Sequence, residues 1–189
     1  LMGKEERALS YLQQVLDNMP THIGSLELLK KIFLNKNALE EAEQTAKNIY
    51  CISKDSKDLV EVFKILNKEK KYKEIFDFHT EIETADTLYQ KAIAKFALKD
   101  FDKAESLIDE ALTKEKHNEI LLLKGKILLQ KNDDEGCQKV LSQMNILNSE
   151  GPILNFAGIV EQHVGNYNKA LEYLKNAIKA EPQNDEYYY

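Results

Sequence analysis

The chain has 189 residues, of which 26 are Lys or Arg and 32 are Asp or Glu, giving a formal net charge of −6 at pH 7. Seven glycines, three prolines and no tryptophan provide few turn-forming residues for a many-stranded sheet, so the composition favours helices. The acidic balance argues against nucleic-acid binding, which needs a basic face, and no stretch approaches the ~20 apolar residues that span a bilayer.

Helical segments recur along the chain at a nearly constant interval. The first, over residues 4–18, has Ala8 at the position where a partner helix would approach. Equivalent positions follow in chain order at Ala42, Ile75, Ala104, Cys137 and Ala170. Ala104 and Ala170 are 66 residues apart with Cys137 midway, so the period is 33, whereas Ile75 to Ala104 spans only 29 residues. The shorter interval predicts a shortened second helix or turn near Glu83.

Each copy contains two amphipathic helices, because its apolar residues recur at spacings of three and four. In the last full copy the facing residues are Leu154, Ala157, Gly158 and Glu161 in the first helix and Ala170, Leu174, Ala177 and Ile178 in the second. Small residues stand where two backbones should approach, as at Gly158 with Ala170 and Gly125 with Cys137. Pro152 opens the first helix of this copy, where its missing N–H is not needed.

This pattern resembles the tetratricopeptide repeat. The best-matching copy has Leu154, Ala157, Gly158, Tyr167, Ala170, Leu174, Ala177 and Pro182 at positions typical of that family. The resemblance covers nearly the whole chain, as about five and a half copies. It implies an all-α fold, a right-handed α-solenoid of antiparallel helix pairs, in which the first helices line a concave surface that binds proteins or peptides.

We therefore expect one helical-repeat domain over residues 1–189. Its approximate repeats are 1–22 (a second helix only), 23–55, 56–84, 85–117, 118–150 and 151–184, with the start of another at 185–189. Because the chain starts in a second helix and stops in a first one, it is expected to be cut from a longer array. Apolar residues near the ends, among them Leu171 and the tyrosines 187–189, predict self-association through open repeat ends.

Residues suited to catalysis or metal binding are scattered. His22, His79, His117 and His163 lack metal-ligand spacing; His79 is expected in the core or at its boundary, and His163 exposed or in the groove. The run 132–136 fails the register of a calcium loop, so Asp133 or Asp134 is expected to cap a helix. Cys51 and Cys137 would be too far apart for a disulfide, and both are predicted to be buried thiols. The sequence predicts no enzyme, no cofactor and no metal site.

A second apolar stripe beside the core face of the first helices predicts a binding surface in the concave groove. The predicted partner-binding residues are Lys64, Tyr89, Ile93, Phe96, Leu122, Lys126, Leu129, Asn155, Phe156, Ile159 and Gln162. The apolar members would hold side chains of a peptide, and the polar ones would hydrogen-bond its backbone. Equally, much of the stripe could pack against the next first helix, since each pair in a solenoid has two neighbours.

The predicted function is a protein–protein interaction scaffold that binds a peptide or partner protein in this groove. Two alternatives stay open: a regulatory or targeting module of a larger enzyme whose catalytic part lies outside the chain, and, less favoured by the charge, a helical-repeat RNA binder. The lysine-rich stretch 64–73 is interpreted as a solvated helix end rather than a site for an anionic partner. No signal peptide is visible, so the default expectation is a cytoplasmic location.

Overall fold

The computed structural model describes residues 2–146 and 150–188, with side-chain detail for 7–146, 150–185 and 187. Leu1, residues 147–149 and Tyr189 lie outside the described residues, and with them the outer limits of the predicted repeats and the end of the repeat 118–150. The described part of the chain is all-helical and contains no strand, which confirms the predicted fold class. Its α-helices are α1 (Met2–Asn18), α2 (Ile23–Asn35), α3 (Leu39–Ser53), α4 (Ser56–Lys68), α5 (Tyr72–Asp77), α6 (Ala85–Ala97), α7 (Phe101–Lys114), α8 (Asn118–Gln130), α9 (Asp134–Gln143), α10 (Gly151–His163) and α11 (Tyr167–Ala180), followed by a 3₁₀ turn at Asp185–Tyr188.

The helices form two compact units, residues 1–94 and 95–189, and α6 crosses the boundary. In the first unit α1 packs on α2, α2 on α3, α3 on α4 and α4 on α5. In the second unit α7 packs on α8, α8 on α9 and α10 on α11. Each unit is therefore a series of helices that contact their neighbours in sequence, as expected of helical repeats. The prediction of one continuous domain with the stated repeat boundaries stays a prediction.

The turns that follow the first helices have the same backbone feature, a residue with positive φ, in successive repeats. Residues with positive φ stand two positions beyond the ends of α2, α4, α6, α8 and α10, at Asn37, Lys70, Lys99, Asn132 and Gly165. These residues are 33, 29, 33 and 33 positions apart. Left-handed residues at this position let the next N–H reach a carbonyl at the end of the helix, as from Ala38 N to Phe33 O at 2.9 Å. The period of 33 and the one compressed interval are thus confirmed.

The compressed interval contains α5, which has only six residues. The chain continues without helix through residues 78–84, and Phe78 packs its ring on Tyr50 and Phe63, with centroids 5.6 and 5.8 Å apart. This contact fills the space over the core of the first unit that further turns of α5 would have covered. The prediction for His79 was wrong: it is exposed, because the chain has left the helix and Phe78 has taken the apolar position.

The second unit is built around α8, α9, α10 and α11. Its buried residues include Leu121, Leu128, Cys137, Val140, Ile153, Phe156, Ala157 and Val160. The predicted small-residue contacts are present: a Cβ at Gly158 would stand 3.3 Å from the Ala170 carbonyl oxygen, and Cys137 Sγ lies 3.8 Å from the Gly125 carbonyl. Larger side chains at these positions would hold the helices apart.

The predictions for two helix ends and for one of the two cysteines are confirmed. Pro152 stands in the first turn of α10, and the Asp133 side chain accepts a hydrogen bond of 2.8 Å from Gly136 N at the start of α9. Both cysteines are free; Cys137 is buried as predicted. The prediction for Cys51 was wrong, because it lies one residue past the buried Ile49 and Tyr50 and so turns outward from α3.

Candidate functional site

The second unit contains a cavity of about 100 Å³ between α8, α10 and the C-terminal 3₁₀ turn, called here the α8–α10 cavity. It is lined by Lys126, Leu129, Pro152, Asn155, Phe156, Ile159, Asn184 and Tyr187. Five of these were predicted as partner-binding residues: Lys126, Leu129, Asn155, Phe156 and Ile159. The structure therefore brings together residues that the sequence placed on the same face of two consecutive first helices.

Helical spacing explains how these side chains converge. Lys126 and Leu129 are one turn apart on α8, and Asn155 and Ile159 are one turn apart on α10. Leu129, Asn155 and Ile159 are half-buried, while Lys126 is exposed at the rim. The cavity thus offers aliphatic surface, an amide that can both donate and accept a hydrogen bond, and a cation.

Phe156 does not serve as the accessible groove residue that the sequence predicted. It is only 2% exposed, and its ring fills the space that the missing side chain of Gly125 leaves on α8. A Cβ at residue 125 would stand 2.6 Å from Phe156 Cε2. Phe156 therefore belongs to the core of the second unit, and a ligand in the cavity would meet at most its edge.

Another wall of the cavity is formed by Asn184 and Tyr187, which were not among the predicted partner-binding residues. Tyr187 is buried, its hydroxyl donates to Glu181 Oε2 at 2.8 Å, and Asn184 Nδ2 donates to the same oxygen at 3.0 Å. These two hydrogen bonds lower the pKa of Glu181, so its carboxylate is ionised at neutral pH. The signal in the sequence was Gly151: a Cβ there would stand 2.8 Å from the Tyr187 hydroxyl.

The other predicted residues do not line the α8–α10 cavity. Leu122 is half-buried against the core of the second unit, and Gln162 is exposed near the end of α10. Phe96 packs its ring on Phe101, with centroids 5.6 Å apart. Tyr89 and Ile93 are half-buried on the part of α6 that belongs to the first unit.

Lys64 lines a different groove, in the first unit between α2 and α4, with a volume of about 590 Å³. Its other charged lining residues are Glu27, Lys30, Lys31, Lys57, Asp58, Glu61 and Asp86. Two of the lysines are already paired along their own helices, Lys30 with Glu27 at 2.8 Å and Lys64 with Glu61 at 2.8 Å. This α2–α4 groove is a mixed-charge surface, whereas the α8–α10 cavity combines an aliphatic lining with one lysine.

Part of the lysine-rich stretch 64–73 is bonded within the first unit. Lys71 contacts Glu43 Oε2 at 2.6 Å and Glu69 Oε1 at 3.2 Å, and Lys47 bonds to Glu43 as well. Burial alone would raise the pKa of Glu43, but the two lysines lower it to about 2. Glu43 thus holds α3 to the start of α5.

Within the part of the chain that the structure describes, no group of three His, Cys, Asp or Glu side chains is placed to hold a metal ion. His163 is exposed, as predicted, and its Nδ1 lies 2.9 Å from Asp134 Oδ1. Over the same residues, none of the helices is both long enough and apolar enough to cross a bilayer.

A sequence model of the tetratricopeptide repeat matches residues 152–184, the segment that contains α10 and α11. The segment 152–184 is therefore a tetratricopeptide repeat. Solved structures of tetratricopeptide repeat proteins share the fold of this chain over most of its length. The resemblance found in the sequence is thus confirmed.

One curated relative of this chain is the BBSome complex member BBS4 of Bos taurus. The two are 24% identical over an alignment of 179 residues, which covers 92% of this chain and 32% of the relative. The chain therefore spans about a third of the length of that relative.

Solved structures show the same fold at low identity. The protein pilF of Pseudomonas aeruginosa has a TM-score of 0.73 at 14% identity, with 99% of this chain and 89% of pilF covered. YrrB, described as a TPR protein with an unusual peptide-binding site, has a TM-score of 0.60 at 15% identity, with 94% and 95% covered. The Cut9–Hcn1 structure from the APC/C has a TM-score of 0.70 at 11% identity, with 98% and 38% covered.

Proposed function

We propose that this chain is a protein-interaction scaffold and that the α8–α10 cavity binds a segment of a partner protein. The observation that carries the proposal is the convergence of Lys126, Leu129, Asn155 and Ile159, from two consecutive first helices, around one cavity. Helical-repeat proteins act by presenting extended surfaces of this kind rather than by chemistry.

The chemistry of the cavity suits a peptide segment with an aliphatic side chain. Leu129 and Ile159 remain half-exposed, so an aliphatic side chain between them would lose apolar surface to the protein, worth about 1.5–3 kcal/mol when burial is complete. The Asn155 amide can bond a peptide N–H and a peptide carbonyl at the same time. A cavity of about 100 Å³ takes one side chain, so neighbouring residues of the partner must supply the rest of the affinity.

Relatives with the same fold support this proposal in general terms. YrrB is described as having a peptide-binding site, BBS4 as a member of a complex, and Cut9 as part of a hetero-tetramer with Hcn1. None of these descriptions identifies the partner of this chain. The alternatives of an enzyme-regulatory module and an RNA binder gain no specific observation, and the cytoplasmic location stays a prediction.

Self-association remains a prediction too. The helix α11 presents Tyr167 and Leu171, one turn apart, to solvent at 70% and 53% exposure, whereas its Ala170 and Ala177 are buried. Exposed apolar side chains of this size are typical of surfaces that contact another protein or another helix.

The test of the cavity is selection from a displayed library of short random peptides. Peptides enriched on the wild-type chain should lose binding to Leu129→Asp and to Ile159→Asp, because each change places a charge in the aliphatic part of the cavity. Leu171→Asp is the matched control, since Leu171 is an exposed leucine of the same unit outside the cavity. Circular dichroism establishes that each variant is folded. If the enriched peptides bind all three folded variants equally, the cavity is not the binding site.

A further inference from the structure

We infer that the α8–α10 cavity selects an internal peptide segment in which an aliphatic residue stands beside an Asp or Glu. This inference rests on the proposed function, because it names the class of segment that the same cavity takes. Its two parts are an ion pair to Lys126 and an aliphatic contact with Leu129 and Ile159.

The ammonium group of Lys126 is available to form an ion pair with a ligand in the cavity. Two nearby lysines are paired within the second unit: Lys124 with Asp109 at 2.6 Å, and Lys131 with Asp102 and Glu105, each at 2.7 Å. Lys126 has no carboxylate partner among the residues that the structure describes, and it stands exposed at the rim of the cavity. A carboxylate of a bound segment is the group that complements it.

The described lining of the cavity holds no acidic side chain that would repel such a carboxylate. Glu181 lies behind this wall, and its Oε2 already accepts hydrogen bonds from the Tyr187 hydroxyl and the Asn184 amide. The cavity is therefore polarised, with a cation on the α8 side and a compensated anion behind the 3₁₀ turn. A segment bound with its acidic residue toward α8 places that carboxylate beside Lys126 and away from Glu181.

The size of the cavity determines which side chain of the ligand fits beside its acidic residue. Leu129, Ile159 and Pro152 supply aliphatic lining, and the volume of about 100 Å³ corresponds to about three water molecules. The Phe156 ring already occupies the space beside Gly125, so an aromatic residue of the ligand finds no further room there. The lining thus fits a branched aliphatic side chain one position from the acid.

The experiment uses the peptides selected on the wild-type chain, displayed between fixed flanking residues so that no peptide has a free terminal carboxylate. Their sequences should be enriched in an aliphatic residue next to Asp or Glu. Selection on Lys126→Glu should replace the acid by Lys or Arg, because the sign of the rim charge is reversed. Lys175→Glu is the matched control: Lys175 is exposed, lies in the same unit and outside the cavity, and its variant should return the wild-type preference.

A binding cycle with single capped peptides measures the ion pair itself. Replacing the acid of a selected peptide by its amide should weaken binding to the wild-type chain by about two- to fivefold, the range of an exposed ion pair. The same replacement should leave binding to Lys126→Met unchanged, since the partner charge is gone.

The outcomes separate the two claims. An acidic preference that survives Lys126→Glu, or cavity-dependent peptides without an acid, overturns the inference and leaves the proposed function standing. Selection that yields no peptide dependent on Leu129 and Ile159 overturns both.

Discussion

Phe156 of α10 places the distal edge of its ring against Gly125 of α8, in the space where any other residue would carry its Cβ. This contact sets how closely the two first helices approach, and so how wide the α8–α10 cavity is. Leu129 and Ile159, one turn further along each helix, meet across the distance that this contact fixes.

Gly125→Ala should therefore destabilise the second unit. A Cβ at residue 125 would stand 2.6 Å from Phe156 Cε2 and 2.9 Å from Cε1, so the ring must move, at a cost of about 1–3 kcal/mol in the free energy of unfolding. Urea denaturation followed by circular dichroism measures this loss. The double variant Gly125→Ala, Phe156→Leu should recover part of it, because the smaller side chain gives way.

Gly24→Ala is the control for the helix propensity of alanine. Gly24 lies in α2, and a Cβ there would stand 3.4 Å from the nearest atom, His22 Cε1. With room available, alanine should be neutral or should stabilise by about 0.5–1 kcal/mol. A Gly125→Ala variant as stable as Gly24→Ala would contradict the close packing of Phe156.

Tyr187→Phe tests the wall of the α8–α10 cavity. The change removes only the hydroxyl that donates a hydrogen bond to the Glu181 carboxylate. Cavity-dependent peptides should bind more weakly, because the 3₁₀ turn then loses one of the two hydrogen bonds that Glu181 Oε2 accepts from it. Isothermal titration with one selected peptide measures the change. Tyr11→Phe, at an exposed tyrosine of α1, should leave binding unaltered.

Glu43→Gln should lower the stability of the first unit at neutral pH by about 1.5–3 kcal/mol, because it removes the charge that Lys47 and Lys71 contact. The pKa of Glu43 falls from 4.5 to about 2 on folding, so its contribution is present above pH 4.5 and is lost as the pH falls toward 2. The difference between wild type and variant, measured by denaturation at several pH values, should close over that interval. A difference that persists unchanged at the acid end would refute the assignment.

The pKa of Glu69 is shifted in the opposite direction to that of Glu43, so its effect on stability depends on pH with the opposite sign. Burial and the nearby Glu43 raise its pKa above 4.5, although Lys71 opposes them, and its buried Oε2 has no hydrogen-bond partner. A raised pKa means that its contribution is full below pH 4.5 and is lost as the pH rises through the folded value. Glu69→Gln should therefore stay neutral throughout and lose less stability than the wild type between pH 4.5 and 7. Parallel curves for the two proteins would contradict this.

The cysteines should react at very different rates. Cys51 is exposed on α3, whereas burial, together with Asp133 and Asp134, raises the pKa of Cys137 to about 11. Because the thiolate is the reactive form, iodoacetamide at mildly alkaline pH should modify Cys51 alone in the native chain and both cysteines in urea. Mass spectrometry of Cys51→Ser under native conditions should show no adduct, and rapid modification there would contradict the burial of Cys137.

The repeat was predictable from the sequence because residues with the same structural role recur at a regular spacing. Small residues at Ala104, Cys137 and Ala170 gave the period, and the left-handed turn residues Lys99, Asn132 and Gly165 repeat it in the backbone. The compressed interval before Ala104 was predictable for the same reason. Such features depend on residues within one helix pair.

The details of the α8–α10 cavity were less predictable because they depend on residues far apart in sequence. The pattern of α10 alone shows Phe156 beside Asn155 and Ile159, and only the gap at Gly125 of α8 decides that this ring turns inward. Tyr187 reaches the cavity through a turn beyond α11, stabilised by Glu181. A helical pattern contains neither relationship.

The short helix α5 sets a limit on how this chain can be re-engineered. Repeats of one family invite exchange, deletion or duplication as interchangeable cassettes. Here the segment after Asp77 contributes Phe78 to the aromatic contact with Tyr50 and Phe63, from a stretch of chain that is not helical. A chimera in which a full-length second helix replaces residues 72–84 would delete that ring and leave Phe63 uncovered, so this cassette has to be transplanted together with α3 and α4 or left in place.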